Sequence, residues 1–363
     1  MSELFKVRSS YGIYEVFLVD IKNQVKILND ENALIIIDEK VLELYPFFAS
    51  KRLIKLPADE NSKTLDFAGY IIESLRKLGA NRNSHIIAIG GGIIQDLATI
   101  VASLYMRGIS WLYLPTTLLA MVDSCLGGKS SINVGAFKNI AGNFCPPQKI
   151  LIDPNFCKTL DHTDIVSGLC EAVKICYASS DGVFEKIISS LSVEDNFTSE
   201  NFTSIISLSL HTKKTFIEQD EFDRGVRLHL NFGHTFGHAI EAASKFAIPH
   251  GIAVGIGMQF AIHLAQTLSP KSTSCERCIL LNNIIKKLLI KTPLFLEMLK
   301  KIEIDNLFQK FTIDKKHSES DFVLILPNEE GFLERKLISK NNFSKKVFDQ
   351  TFTNFINKNY EIQ

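Results

Sequence analysis

The feature that most constrains this chain is a set of short, fully apolar runs in its first half, each closed by a turn or polar residue. ALIIID (33–38), IIAI (86–89), WLYL (111–114) and KILID (149–153) are β-branched or aromatic and too short for helices, so each reads as a buried strand. Helix-like stretches lie between them, at 62–78 and 96–106. Strands that are apolar on both faces, alternating with helices, predict a parallel sheet covered on both sides.

From about Asp161 the helical period takes over, through 165–179, 202–215, 237–246, 251–267 and 280–290. One late run, DFVLILP (321–327), reads as a strand with a turn at 328–331, and the tail after Ser339 as a terminal helix. The expected fold is therefore α/β plus α: a Rossmann-like parallel-sheet domain over 1–160, then a mainly helical domain over 161–363. A length of 363 residues suits two domains. Hydrophobic residues at 46% and charged residues at 22% exclude a disordered or fibrous chain.

Forty basic residues balance forty acidic ones, which argues against a broad nucleic-acid footprint. No apolar run approaches the ~18 residues of a membrane span. The first residues, MSELFKVRSS, lack the apolar stretch of a signal peptide. Seven cysteines without framework spacing suit a reducing compartment, so a soluble cytoplasmic protein is expected.

Three segments concentrate chemistry. Gly90-Gly91-Gly92 follows a strand and precedes a helix expected to begin near Asp96, a place where backbone N–H groups can meet a phosphate or where a tight turn simply closes. LGGKSS (126–131) looks like the end of a nucleotide-binding P-loop, but Asp123 stands where the first glycine is required, which excludes that site. The stretch from Asp123 to Asn139 also holds Lys129, Asn133 and Lys138, a set that suits a phosphorylated substrate or a solvated loop.

Glu171 and Lys174 sit in the apolar surroundings of GLCEAVKIC (168–176), where a charge must be paired or bind a metal; an i,i+3 ion pair at a helix edge is the alternative. NFGHTFGH (231–238) places His234 and His238 on one helical face, and His250 follows after twelve residues. A Glu with two or three His and an open position is a catalytic zinc pattern. Cys275 and Cys278 have no second pair to complete a structural zinc site. Lys213 and the charged run DEFDRGVR (220–227) could serve an anionic substrate or a solvated helix end.

In this order and spacing, GGGIIQD (90–96), RG (107–108), LPTTLLAMVDSCLGGKSSIN (114–133), KN (138–139), GLCEAVK (168–174), DEFDRGVR, NFGHTFGHAIE (231–241) and HG (250–251) resemble the 3-dehydroquinate synthase family of sugar phosphate cyclases. The resemblance runs nearly collinearly from about Asp38 to Lys316. It implies an N-terminal NAD domain, a helical metal-binding domain, and a homodimer. Glu171, His234 and His250 would bind Zn²⁺ or Co²⁺. Asp38, Glu60, Lys63, Gly91, Gly92, Asp96, Thr116, Thr117, Lys129, Lys138 and the stretch from Phe156 to Thr159 would hold NAD.

Lys129, Asn139, Asn231, His238 and Lys316 would meet the substrate phosphate, with Arg107 reaching in from the partner subunit. Arg227 and Lys213 would meet the substrate carboxylate, and Asp123, Lys174 and Asp223 its hydroxyl groups. The implied reaction converts 3-deoxy-D-arabino-heptulosonate 7-phosphate to 3-dehydroquinate and phosphate, with NAD regenerated in each cycle.

The chain departs from the family pattern at four positions. Asp223 stands for a Glu, Ile252 for the Glu of His-Gly-Glu, Gln95 for a small residue of the glycine loop, and Lys40 for a small polar residue beside the ribose. These departures leave open another cyclase acting on a related heptulose phosphate, or a non-catalytic binding descendant. In relatives that act on sedoheptulose 7-phosphate the second His of GHTFGH is replaced, and here His238 remains with Arg227 and Lys213. An NAD- and metal-dependent polyol dehydrogenase shares the architecture, but the cyclase-type set of Lys129, Asn139 and Arg227 weighs against it.

Overall fold

The computed structural model describes residues 1–135, 137–191, 198–269, 275–341 and 343–360, with the backbone alone at 25–27 and 29. The chain divides into two compact units, Met1–Leu160 with Asp195–Glu221, and Asp161–Glu194 with Phe222–Gln363. The sequence reading assigned all of 161–363 to the second domain. The structure instead returns Asp195–Glu221 to the first unit.

The first unit opens with strands β1 (Ser2–Ser9) and β2 (Gly12–Leu18), a hairpin the sequence reading did not find. Then follow β3 (Ala33–Asp38), α1 (Glu39–Leu44), β4 (Leu53–Leu56), α2 (Leu65–Lys77), β5 (His85–Gly90), α3 (Gly92–Leu104), β6 (Trp111–Pro115), the small hairpin β7 (Ile132–Val134) and β8 (Phe137–Ala141), and β9 (Lys149–Ile152). The main sheet has seven strands in the order β1-β2-β9-β6-β5-β3-β4, parallel throughout except at the β1–β2 edge. Residues 34–37 and 86–89 are buried, as strands covered on both faces must be.

The strand order reverses at β3, which pairs with β4 on one side and β5 on the other. In open parallel sheets the crevice at such a reversal, beyond the carboxyl ends of the strands, is where ligands bind. Asp38 ends β3, Gly90 ends β5 and Pro115 ends β6, and the register pairs Ile37 with Ile89 and Gly90 with Pro115. Asp38, the glycines and Thr116–Thr117 therefore share one edge of the sheet. The helix expected to begin near Asp96 begins at Gly92, because Gly91 serves as its N-cap.

The second unit is mainly helical. Its helices are α4 (His162–Ala178) and α5 (Val183–Leu191), while α6 (Ser199–Gln219) belongs to the first unit. Beyond it lie α7 (His234–Ala243), α8 (His250–Leu268), α9 (Glu276–Leu289), α10 (Pro293–Lys300), α11 (Ile304–Thr312), the antiparallel pair β10 (Asp321–Pro327) and β11 (Leu333–Ser339), and α12 (Lys345–Tyr360). By length and composition α8 alone among the described residues could cross a membrane, which the sequence reading did not flag; 78% of its most apolar window is buried, with α4, α7 and α9 packed around it.

Close backbone approach sets the geometry of this helical core. A Cβ on Gly251 would overlap the Ser167 carbonyl, so only glycine lets the start of α8 lie directly on α4. Gly251 N also donates to Ser167 Oγ at 3.0 Å. Gly233, with φ of +77°, caps α7 and faces the α8 backbone at Val254 and Met258. These two glycines bring the starts of α7 and α8, which carry His234 and His250, against α4, whose middle carries Glu171.

Candidate active site

Within the first unit the implied cofactor and phosphate residues are tied to one another. Lys63 Nζ lies 2.6 Å from Asp96 Oδ2 and donates to Asn139 Oδ1 at 2.7 Å. Ser131 links both, with its N 3.1 Å from Asp96 Oδ1 and its Oγ 2.9 Å from Asn139 Oδ1. Asn133 donates to Glu60 Oε1 at 2.9 Å and accepts from Asn139 N at 3.0 Å, while Lys138 Nζ sits 3.3 Å from Glu60. Burial raises the pKa of Asp96 and the Lys63 charge opposes that shift.

The other implied NAD residues lie around the sheet edge. Asp38 caps α1 by accepting from Lys40 N at 3.0 Å, and burial raises its pKa. A Cβ on Gly91 would stand 3.0 Å from Thr117, a contact that favours a bare backbone there. Thr159 Oγ1 is 2.9 Å from the Tyr45 hydroxyl, and the Phe156 ring meets Tyr45 edge-on with centroids 5.0 Å apart. Lys129 and Arg107 are exposed, and Arg107 adopts a left-handed φ of +70°.

Asp123 sits on a π-helical turn (Ala120–Ser124), the kind of local irregularity that re-aims a side chain. Lys213 of α6 reaches it: its Nζ lies 2.6 Å from both Asp123 Oδ1 and the Asp123 carbonyl oxygen. Lys213 thus belongs with Asp123 in the first unit, whereas the sequence reading grouped it with the second domain. Gln95 is buried and exchanges two hydrogen bonds of 2.7 Å with Ser124, so this larger residue is accommodated by bracing the Asp123 turn.

The second unit gathers Glu171, Lys174, His234, His238 and His250. One ligand atom each from Glu171, His234 and His250 lies within 4.8 Å of the other two. His250 Nε2 is 3.4 Å and His234 Nε2 3.7 Å from Glu171 Oε1. Glu171 is fully buried, and neither of its oxygens has a well-formed hydrogen bond. Lys174 Nζ approaches Oε2 at 2.5 Å, so the expected ion pair and the expected metal ligand are the same carboxylate. A buried carboxylate with an orphaned oxygen facing two imidazoles fits a divalent cation with N and O ligands.

The imidazoles differ electrically. Burial, reinforced by Lys174, holds His234 well below its ordinary pKa. Burial and Lys316 push His238 down to about 3. Burial also works against the charged form of His250, but Glu241 and Glu171 outweigh it and raise that pKa to about 10. Glu241, which the sequence reading quoted in its motif without giving it a role, places Oε2 3.0 Å from His250 Nδ1. Its position seven residues after His234 on α7 was the available signal.

The remaining substrate candidates are spread through the same unit. Arg227 is buried on the 3₁₀ turn Val226–Asn231, Asp223 sits just ahead of it with φ of +60°, and Lys316 lies 3.4 Å from Asp314. Ile252 is fully buried, and Lys40 is exposed.

Comparison with known proteins places this arrangement. The 3-dehydroquinate synthase N-terminal model matches residues 53–167, and the 3-dehydroquinate synthase C-terminal model matches 168–317. A 3-dehydroquinate synthase of Enterococcus faecalis is 36% identical over 317 residues, covering 84% of this chain and 85% of the relative. One from Streptococcus agalactiae is 40% identical over 240 residues, covering 65% and 67%. Among solved structures, a 2-deoxy-scyllo-inosose synthase complexed with carbaglucose-6-phosphate, NAD⁺ and Co²⁺ shares the fold, with a TM-score of 0.79 at 24% identity over 95% of this chain and 99% of that one. With both family models matched across the units that carry these residues, the chain belongs to the 3-dehydroquinate synthase family.

Proposed function

We propose that this protein is a 3-dehydroquinate synthase, a carbon–oxygen lyase that converts 3-deoxy-D-arabino-heptulosonate 7-phosphate to 3-dehydroquinate and phosphate. The observation that carries the reading is the buried, under-bonded Glu171 carboxylate facing His234 and His250, in a chain 36% identical to a curated synthase. When bound, NAD⁺ would take and return a hydride, and a divalent cation held by Glu171, His234 and His250 would polarise the alcohol oxygen that is oxidised.

The chain's own residues bind, orient and neutralise. At the sheet edge, Asp38 suits a ribose hydroxyl pair, and the bare backbone at Gly91 and Gly92 with the start of α3 suits the cofactor's pyrophosphate. Glu60, Lys63, Asp96 and Lys138, with Thr116, Thr117, Phe156 and Thr159, complete the cofactor's bed. Lys129, Asn139, Asn231, His238 and Lys316 supply charge and hydrogen bonds to the phosphate, and Arg107 serves the same group in a homodimer. Arg227 and Lys213 serve the substrate carboxylate, and Asp123 and Lys174 its hydroxyl groups. Burial and Lys316 favour the neutral form of His238, an imidazole that can hydrogen-bond the phosphate.

The reading includes a cytoplasmic location. Related cyclases share the fold, among them a 2-epi-5-epi-valiolone synthase at TM-score 0.75 and 21% identity. Incubation with NAD⁺, Zn²⁺ or Co²⁺ and 3-deoxy-D-arabino-heptulosonate 7-phosphate separates them. Phosphate release with 3-dehydroquinate and no net NADH is the expected outcome. Turnover of sedoheptulose 7-phosphate instead would assign a different cyclase, and net NADH without phosphate a dehydrogenase.

A further inference from the structure

We propose that Glu241 is the positioning residue of the metal centre, holding His250 in the tautomer that binds the cation and thereby setting metal affinity. This inference rests on the metal-dependent reading above. Its basis is the two faces of one imidazole: Nε2 of His250 lies 3.4 Å from Glu171 Oε1, and Nδ1 lies 3.0 Å from Glu241 Oε2. An ionised carboxylate is an acceptor only, so Nδ1 carries a proton, and Nε2 is the nitrogen that would give up its proton and bind the cation. Outer carboxylates of this kind fix a ligand's orientation and raise its basicity.

His234 offers an internal contrast. Its Nδ1 is 3.3 Å from the Phe232 carbonyl oxygen, a neutral acceptor supplied by its own turn. His250 starts α8, and the residue two positions on, Ile252, is fully buried and apolar where the family pattern has a carboxylate. The acidic partner therefore comes from α7, the helix that also carries His234. Glu241 and His234 lie two turns apart on that helix, so α7 supplies one ligand directly and orients the other through Glu241.

A competing arrangement uses the same atoms, because His238, Glu241 and His250 also bring ligand atoms within 4.8 Å of one another. In that case Glu241 would be a direct ligand and His238 its companion.

The test is Co²⁺ binding by full-length protein, measured by chelator competition and by the visible spectrum of the bound ion, with far-UV circular dichroism and NAD⁺ binding as controls for folding. E241Q should bind Co²⁺ roughly 10–100-fold more weakly, with an altered spectrum and unchanged NAD⁺ binding. H238A should keep wild-type Co²⁺ affinity. Wild-type affinity and spectrum in E241Q would overturn the proposal. So would an equal loss in H238A, which would make Glu241 a direct ligand of the competing site. Failure of the metal-dependent reading itself is distinguishable, because the unmutated protein would then bind no Co²⁺ at all.

Discussion

The two units meet their polar residues in opposite ways. In the first, Lys63, Asp96, Ser131, Asn133, Asn139, Glu60 and Lys138 form one connected network, so each charge already has a partner within the chain. In the second, Glu171 is fully buried against Lys174 and two imidazoles, with oxygens lacking well-formed hydrogen bonds. A satisfied network holds its shape alone and offers a ready surface to a cofactor. An under-bonded buried carboxylate is costly alone and repays that cost when a cation arrives. The first unit is thus pre-organised by its own side chains, and the second is organised to be completed by a ligand.

The largest effect should come from the incomplete side. Glu171→Gln keeps the size but removes the charge, so metal affinity should fall by more than the roughly 10–100-fold an outer-sphere change costs. Phosphate release should drop below detection. Lys174 would also be left buried without a counter-charge, so thermal unfolding should shift downward. Retained stoichiometric metal in this variant would remove the contrast between the units.

A smaller loss is expected from breaking the satisfied side. Lys63→Met leaves Asp96 largely buried without its cation and removes one of the two donors to Asn139 Oδ1, a change that can cost ~3–5 kcal/mol when a buried pair is broken. Melting temperature should fall and the KM for NAD⁺ should rise, while Co²⁺ binding by the second unit stays intact. Loss of both ligands together would show that the units do not behave independently.

The smallest expected effect sharpens the electrostatics of the second unit. Burial lowers the pKa of Lys316, and the Asp314 carboxylate only partly opposes this. The protonated amine is the form that binds phosphate, so substrate KM should be flat below the lowered pKa and rise as pH climbs through it. That alkaline limb should begin at lower pH than for an ordinary lysine, and Lys316→Arg should move it upward. A limb unchanged by the arginine would assign it to another group.

The parts of this protein legible in its sequence are those decided locally. Short β-branched runs such as 33–38 and 86–89 can be little else than buried strands, and the late run 321–327 is a strand as expected. The family resemblance implied Glu171, His234 and His250 as ligands, and the fold brings one ligand atom from each within 4.8 Å of the others. Other features depend on which surface meets which. The helix Ser199–Gln219 reads as helix from its period, but only packing assigns its apolar face to the first unit, where Lys213 reaches Asp123. The β1–β2 hairpin was missed because its strands are half-exposed and lack a continuous apolar run.

What the sequence by itself determined is the alternation of elements and the inventory of chemical groups, because both follow from residue type and short-range period. What only the tertiary structure decided is the pairing of those groups: Gln95 with Ser124, Lys213 with Asp123, and Glu241 with His250 in a chain that carries Ile252. Hydrogen bonds and ion pairs act over about 3 Å, and separations that small between residues distant in sequence are set by the packing of whole helices and strands.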